Sequence, residues 1–240
     1  MDINIQGLTK TYINVTALRS VSLVIEKGES VGLVGANGAG KTTLLHVLMG
    51  FIPYDEGTVQ ILGTSPQRLD AATKERIGFV AEEAGILPWA TLMDMAVLYN
   101  SLYPKWSDEA LFRYINEWDI VPDKRMRAMS KGQKRLAELA LCFSCHPEIL
   151  ILDEPFVGLD AVMRFNVLSA LKEMNTQQGT TIFYSSHILS DIEKIARRVV
   201  IIRSGNISLD KPIQELTASV EETFINNYGV SAEDLFDSNI

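Results

Sequence analysis

Cysteine is nearly absent, with only Cys142 and Cys145 among 240 residues. The two form a C-x-x-C pair inside a helical pattern rather than at its start. No second pair accompanies them, so a zinc site is unsupported and two buried or idle thiols are expected. Basic residues are outnumbered, 22 Lys and Arg against 30 Asp and Glu, for a net charge of -8. No block of basic residues breaks that balance, so no broad nucleic-acid binding is expected, although one local contact stays open. Long apolar runs are missing too. The longest, His46 to Ile52 and Val199 to Ile202, fall far short of the roughly 18 to 20 residues of a spanning helix. The chain is therefore not expected to cross a bilayer unaided. Met1 to Gly7 has neither the basic end nor the apolar stretch of a signal peptide, which makes the cytosol the expected compartment and leaves the sequons at Asn14 and Asn206 without consequence. The 47% of hydrophobic residues suffices for one substantial core with a smaller appended subdomain.

Against this background Gly35-Ala36-Asn37-Gly38-Ala39-Gly40-Lys41-Thr42 stands out. It fills the G-x-x-x-x-G-K-[ST] pattern of a phosphate-binding loop. Ser30 to Val34 predicts a buried strand before it, and Lys41 to Met49 a helix after it, stopped by Gly50 with Pro53 beyond. Glycines suit such a loop because the backbone must wrap a polyphosphate closely, at φ values a Cβ would obstruct. The helix N-terminus adds partial positive charge. Lys41 is placed to neutralise β- and γ-phosphates, and the Thr42 hydroxyl to ligate Mg²⁺, a hard ion that prefers oxygen.

Upstream, Val21, Leu23 and Ile25 alternate with other residues before the turn Glu26 to Glu29, predicting a strand paired with the phosphate-loop strand. With Val59 and Ile61 they predict an antiparallel patch in the first sixty residues, where Tyr12 is free to pack or to stack on a base. From about Leu92 helices are expected, separated by Pro104 and Pro122. Leu111, Tyr114, Ile115 and Trp118 fall at i, i+3, i+4 and i+7 behind Ser107, so these aromatics read as a helical core. Ser130 precedes a second such face of Leu136, Leu139, Ala140 and Phe143, where it serves either as a plain cap or as an anion contact.

Glu148 to Leu152 predicts a strand covered on both faces, ending in Asp153-Glu154-Pro155. Ligands of open parallel sheets sit at such carboxyl ends. Adjacent strand residues point to opposite sides, so Asp153 is assigned to Mg²⁺ and Glu154 to the attacking water. Ala161 to Met174 predicts a helix stopped by Gly179, and Thr180 to Ser185 a strand leading to His187, whose imidazole is placed to donate to a γ-phosphate. Val199 to Leu209 predicts a closing strand pair, and residues from about 211 to 240 a helical tail.

In this order the segments resemble the ATP-binding cassette ATPases over essentially the whole chain. Gly35 to Thr42 is similar to the Walker A loop, Ile149 to Asp153 to the Walker B strand, Glu154 to the catalytic carboxylate, Gly158-Leu159-Asp160 to the loop after it, and His187 to the switch histidine. Ser130, Gly132 and Gln133 match the signature motif, while Met129 and Lys131 replace its usual Leu and first Gly. The resemblance implies a single 240-residue α/β domain: a P-loop NTPase core with a mainly parallel sheet, an N-terminal antiparallel β patch and a helical subdomain inserted at about 92 to 145. It implies ATP held by Tyr12, Gly35, Asn37, Gly38, Gly40, Lys41, Thr42 and Thr43, with Ser130, Gly132 and Gln133 serving a second cassette in a homodimer or heterodimer. Catalysis is implied for Glu154, His187 and Lys41, and Mg²⁺ binding for Thr42, Asp153 and Glu82, the last standing where the family has glutamine.

The implied function is ATP hydrolysis on the cytoplasmic face of the cell membrane, coupled through the helical insert to a transmembrane permease subunit. The sequence around Ser130 and from Gly158 to Arg164 is more similar to exporter cassettes than to importer ones. A soluble cassette acting on ribosomes or DNA is the alternative, and it usually carries two cassettes or long arms.

Overall fold

The computed structural model describes residues 1–83, 85 and 87–228. Strands β1 (Ile3–Tyr12), β2 (Val15–Ile25) and β3 (Ser30–Val34) lead to helix α1 (Lys41–Leu48). Then come β4 (Glu56–Ile61), the short α2 (Ala71–Lys74) and β5 (Ile77–Val80). Helices α3 (Leu92–Leu102), α4 (Asp108–Glu117) and α5 (Lys131–Phe143) precede β6 (Ile149–Leu152) and α6 (Ala161–Gln178). The rest is β7 (Thr181–Ser185), α7 (Leu189–Ile195), β8 (Arg198–Arg203), β9 (Asn206–Pro212) and α8 (Val220–Tyr228). The tail expected from 211 to 240 continues beyond α8 outside the described residues. Backbone contacts divide the chain into two compact units, residues 1–69 with those from 181 onward, and residues 70–180.

In the first unit β1 runs antiparallel between β2 and β4, pairing Ile5 with Leu23 on one side and with Val59 on the other. The alternation is that of a half-covered sheet, with Ile3, Ile5, Leu23, Ile25, Val59 and Ile61 all buried. The expected pairing of β2 with β3 does not occur. β3 lies parallel between β7 and β8. All five of its residues are buried, as befits a strand inside a parallel layer, whereas β2 alternates and so belongs to the antiparallel patch. Beyond β8 the chain turns back as antiparallel β9. A hydroxyl joins the start of the chain to this layer: Thr181 Oγ1 donates to Asp2 Oδ2 at 2.6 Å and accepts from Gly28 N–H at 2.7 Å.

In the second unit β5 and β6 pair in parallel, Ile77 with Ile149 and Val80 with Leu152. Helix starts follow local chemistry: Thr91 and Ser130 form capping boxes with Asp94 and Gln133, and Ser107 and Asp160 cap α4 and α6. Gly179, at φ 72°, ends α6. Tyr114, Trp118 and Phe143 form an aromatic core with ring centroids 4.6 to 6.0 Å apart. Cys142 and Cys145 are both buried; α5 stops at Phe143, so only the first lies within the helix. Burial pushes the Cys145 thiol up to about 12. Among the described residues no helix is long and apolar enough to cross a membrane.

Candidate functional site

The phosphate loop joins β3 to α1 in the first unit. Gly35 is required by close approach, since a Cβ there would lie 2.6 Å from the Ile202 carbonyl oxygen. Gly40 is required twice over: its φ is 110°, and a Cβ would meet the Ala17 carbonyl oxygen at 2.7 Å. Gly38 differs: its φ is 74°, a Cβ there would have nothing within 4 Å, and the residue is exposed, so only backbone conformation calls for glycine. As N-cap of α1, Gly40 supplies no side-chain cap, and the first-turn N–H groups face the position a phosphate takes at a helix start. Lys41 is buried, and its Nζ donates to the Gly35 carbonyl at 2.7 Å and to the Ala36 carbonyl at 3.3 Å. Thr42 and Thr43 are half-buried and Asn37 is exposed.

Two other sequence-predicted residues belong to this unit. Tyr12 closes β1, 44% exposed, with the Lys10 ammonium 5.3 Å from its ring centroid. His187 is half-buried two residues past β7, and the preceding Ser186 N–H donates to the Leu33 carbonyl at 3.2 Å. That bond ties the histidine's segment to the end of β3. Sequence reasoning missed Gly205, whose N–H donates to Ala39 O at 3.0 Å while its carbonyl accepts from Arg19 N–H at 2.8 Å. The β8–β9 turn thereby holds the loop against β2. A turn signal at Ser204-Gly205-Asn206 was visible, but nothing local linked it to a loop near the other end of the chain.

The second unit holds the acids. β6 ends at Leu152, so Asp153 and Glu154 do not alternate across a strand as expected. Asp153 is fully buried and its N–H donates to the Val80 carbonyl at 2.8 Å. Glu154 is 7% exposed and takes φ 48°, a left-handed conformation costing a non-glycine residue about 1 to 2 kcal/mol. Such retained strain is typical of functional sites. The Ser130 hydroxyl accepts from Gln133 N–H at 3.2 Å and the Gln133 side chain accepts from Ser130 N–H at 3.1 Å, so in the single chain the serine acts as a helix cap. Gly132 is buried where a Cβ would lie 2.5 Å from the Gly158 carbonyl.

Glu82 and Glu83 are exposed just past β5. The backbone there is held by Arg135 of α5, 3% exposed, which donates to the Ala81 carbonyl at 2.6 Å and to the Glu82 carbonyl. Arg135 was also missed. Its signal was present, because it lies four residues before Leu139 on an apolar helix face where a charge needs partners. Beside it, burial pushes the Glu138 carboxyl up to about 7, with Arg135 opposing the shift.

The acids fit Mg²⁺ chemistry. Among the described residues no cluster of three His, Cys, Asp or Glu side chains gathers, and Mg²⁺ takes one or two carboxylates, a hydroxyl, water and substrate phosphates rather than an all-protein cage. Asp153 and Thr42 are oxygen donors of that kind.

The family described as ABC transporter matches residues 18–157. The linearmycin resistance ATP-binding protein LnrL of Bacillus subtilis is 31% identical over 84% of this chain and 66% of its own length. The bacitracin transport ATP-binding protein BcrA of Enterococcus faecalis is 31% identical over 89% of this chain and 70% of its own. A probable sulfate/thiosulfate import ATP-binding protein CysA of Chlorella vulgaris is 30% identical over 95% and 98%. The chain thus spans about two thirds of the length of the first of these relatives. A structure of the ATP-binding cassette MJ0796, a dimer with ADP and Pi, superposes with a TM-score of 0.80 over 89% of this chain and all of that one, at 22% identity, which establishes the fold. This chain belongs to the ABC transporter family, as an ATP-binding cassette with the P-loop NTPase fold of that family.

Proposed function

We propose that this cassette hydrolyses ATP as the peripheral energy-coupling subunit of a membrane exporter. The observation that carries the reading is the phosphate loop: left-handed glycines at Gly38 and Gly40, an α1 start with no side-chain cap, and the buried Lys41 ammonium on the loop carbonyls.

The β- and γ-phosphates are received by the backbone of Gly38, Gly40, Lys41, Thr42 and Thr43 and by the Lys41 ammonium, with Gly35 and Asn37 shaping the loop and Tyr12 stacking on adenine. Glu154 accepts the proton of the attacking water, and His187 donates to the γ-phosphate. Thr42, Asp153 and Glu82 are the proposed Mg²⁺ ligands, and the ion supplies charge neutralisation on the phosphates. Ser130, Gly132 and Gln133 serve the nucleotide of a second cassette. The Ser130 hydroxyl can do both, because its oxygen accepts from Gln133 N–H in the cap while its O–H donates to a γ-phosphate. ATP thereby favours a closed pair that ADP cannot hold, and the helices from Leu92 to Cys145 pass that change to a transmembrane subunit.

Export is the favoured direction. The relatives named for linearmycin resistance and bacitracin transport support it, as does the exporter-like sequence around Ser130, while the relative named for import speaks for the reverse. Affinity purification of the tagged chain in mild detergent tests the reading. A multispanning membrane protein should copurify, and the pair should hydrolyse ATP. Sedimentation with ribosomes instead of membranes overturns it.

A further inference from the structure

α8 is docked at its start and delivers its last described residue to the phosphate loop. Val220 N–H donates to Glu193 Oε1 of α7 at 2.7 Å, and Val220 and Phe224 are buried. One turn on, the Tyr228 ring lies 4.5 Å from the Phe224 ring, with the Arg203 guanidinium 5.3 Å from its centroid. Arg203 Nη1 also donates to the Asn227 carbonyl at 2.7 Å. The phenol ring is thus held by two neighbours, Phe224 and Arg203. Its hydroxyl accepts from Ala36 N–H at 3.3 Å and donates to the Ile202 carbonyl at 2.6 Å.

Those two groups mark the point where the loop leaves the sheet. The parallel ladder between β3 and β8 runs to Val34 and Ile201. Beyond it the next residues diverge, and backbone groups that have left a ladder need new partners. A hydroxyl both donates and accepts, so a single oxygen bridges the Ala36 N–H and the Ile202 carbonyl. The Ile202 carbonyl is also the atom that excludes a Cβ from Gly35. The Ala36 N–H shares its peptide unit with the Gly35 carbonyl, which accepts from Lys41 Nζ at 2.7 Å. One peptide unit therefore connects the Tyr228 hydroxyl to the loop's cation. Burial holds the hydroxyl above its ordinary titration range, which keeps it a donor to Ile202.

We infer that Tyr228 is a positioning residue for the phosphate loop: its hydroxyl pins Ala36 to the end of β8, so the docking of α8 sets the loop backbone and, through it, Lys41. This rests on the reading of the loop as the nucleotide site. The test is Tyr228→Phe in the full chain, which keeps the ring, Phe224 and Arg203 contacts and removes only the two hydrogen bonds. Hydrogen exchange at the Ala36 amide should accelerate about tenfold, while the amides of α8 keep their protection. Metal-free ADP should bind about three- to tenfold more weakly, the worth of one or two modest hydrogen bonds. The KM for ATP should rise with kcat changed less than twofold, and Tm should hold within about two degrees.

Unchanged Ala36 exchange together with unchanged ADP binding overturns the inference. So does a general loss of α8 protection with a fall in Tm, since that marks Tyr228 as a packing residue. If the unmodified chain binds no ADP, the loop assignment itself falls, and the Ala36 exchange rate alone then decides the role of Tyr228.

Discussion

The Lys41 ammonium lies 2.7 Å from the carbonyl oxygen of Gly35, six residues back in the same loop. A triphosphate at this loop offers the cation charged oxygens, which are stronger partners than neutral carbonyls. Lys41→Ala removes both the carbonyl contacts and the charge. ATP affinity should fall about tenfold, and steady-state hydrolysis, assayed with any partner that copurifies, should fall about a hundredfold or more, as when a transition-state donor is removed. Normal ATPase activity in this variant removes the loop from the chemistry.

Glu154 is held at φ 48° with its side chain 7% exposed. Glu154→Gln keeps the size of the side chain but loses the proposed base. It should bind ATP within about threefold of the unmodified chain, turn over at least about a hundredfold more slowly, and accumulate as an ATP-dependent dimer in size-exclusion chromatography. Adding Ser130→Ala should weaken that dimer, but it also removes the cap of α5, a loss of about 1 kcal/mol. Ser130→Asp separates the two roles. Aspartate caps a helix as well as serine does yet repels a phosphate, so the dimer should vanish while Tm stays within about three degrees. An ATP-independent oligomer in every variant counts against pairing through Ser130.

The parts of this arrangement legible in the sequence are those written locally. The phosphate loop, the caps at Ser107 and Ser130, the aromatic face from Leu111 to Trp118 and the Gly179 stop each lie within a dozen residues and follow from spacing alone. Pairing was legible only in part. β2 and β3 are neighbours in sequence, and adjacency suggested a hairpin, but β3 is buried on both faces and takes parallel partners from the far end of the chain. Long-range hydrogen bonds were not legible at all. Gly205 to Ala39 and Tyr228 to Ala36 join residues whose local patterns say turn and helix, and nothing more. The left-handed Glu154 also ran against expectation, because a residue before proline favours extended backbone.

The buried carboxyl of Glu138 gives a pH signature. Folding raises it from an ordinary 4.5 to about 7, with burial outweighing the attraction of Arg135, whose Nη1 is 3.4 Å from Glu138 Oε2. Between these values the folded chain binds the extra proton, so this contribution to stability is complete below about pH 4.5 and is lost as pH rises through about 7. Glu138→Gln mimics the protonated form. Its Tm should match the unmodified chain within a degree or two at pH 5 and exceed it by a few degrees at pH 8, where the carboxylate must charge in a buried setting. Calorimetric melts of both proteins at the two pH values measure the difference; an equal Tm at pH 8 shows that Arg135 compensates the charge fully.

Glu82 is the residue proposed to take the place of the family's glutamine, and Arg135 grips its carbonyl and that of Ala81 while leaving the Glu82 side chain exposed. The backbone of this segment is therefore fixed from below and the carboxylate is presented outward. A carboxylate is a better ligand than an amide for a hard divalent ion, but it adds negative charge near phosphates and near any other acid of the site. The two effects separate with metal. With Mg²⁺ present the ion offsets the repulsion, so hydrolysis in the unmodified cassette should depend more steeply on free Mg²⁺ than in Glu82→Gln. Without metal only the repulsion acts, and Glu82→Gln should bind ATP several-fold more tightly, a gain of about one kcal/mol for one nearby like charge in a partly solvated setting. Glu83→Gln run in parallel controls for register, because Glu83 is adjacent and equally exposed. A change confined to the Glu83 variant moves the assignment by one residue, and no change in either variant removes Glu82 from the metal site and leaves both acids as solvated charges past the end of β5.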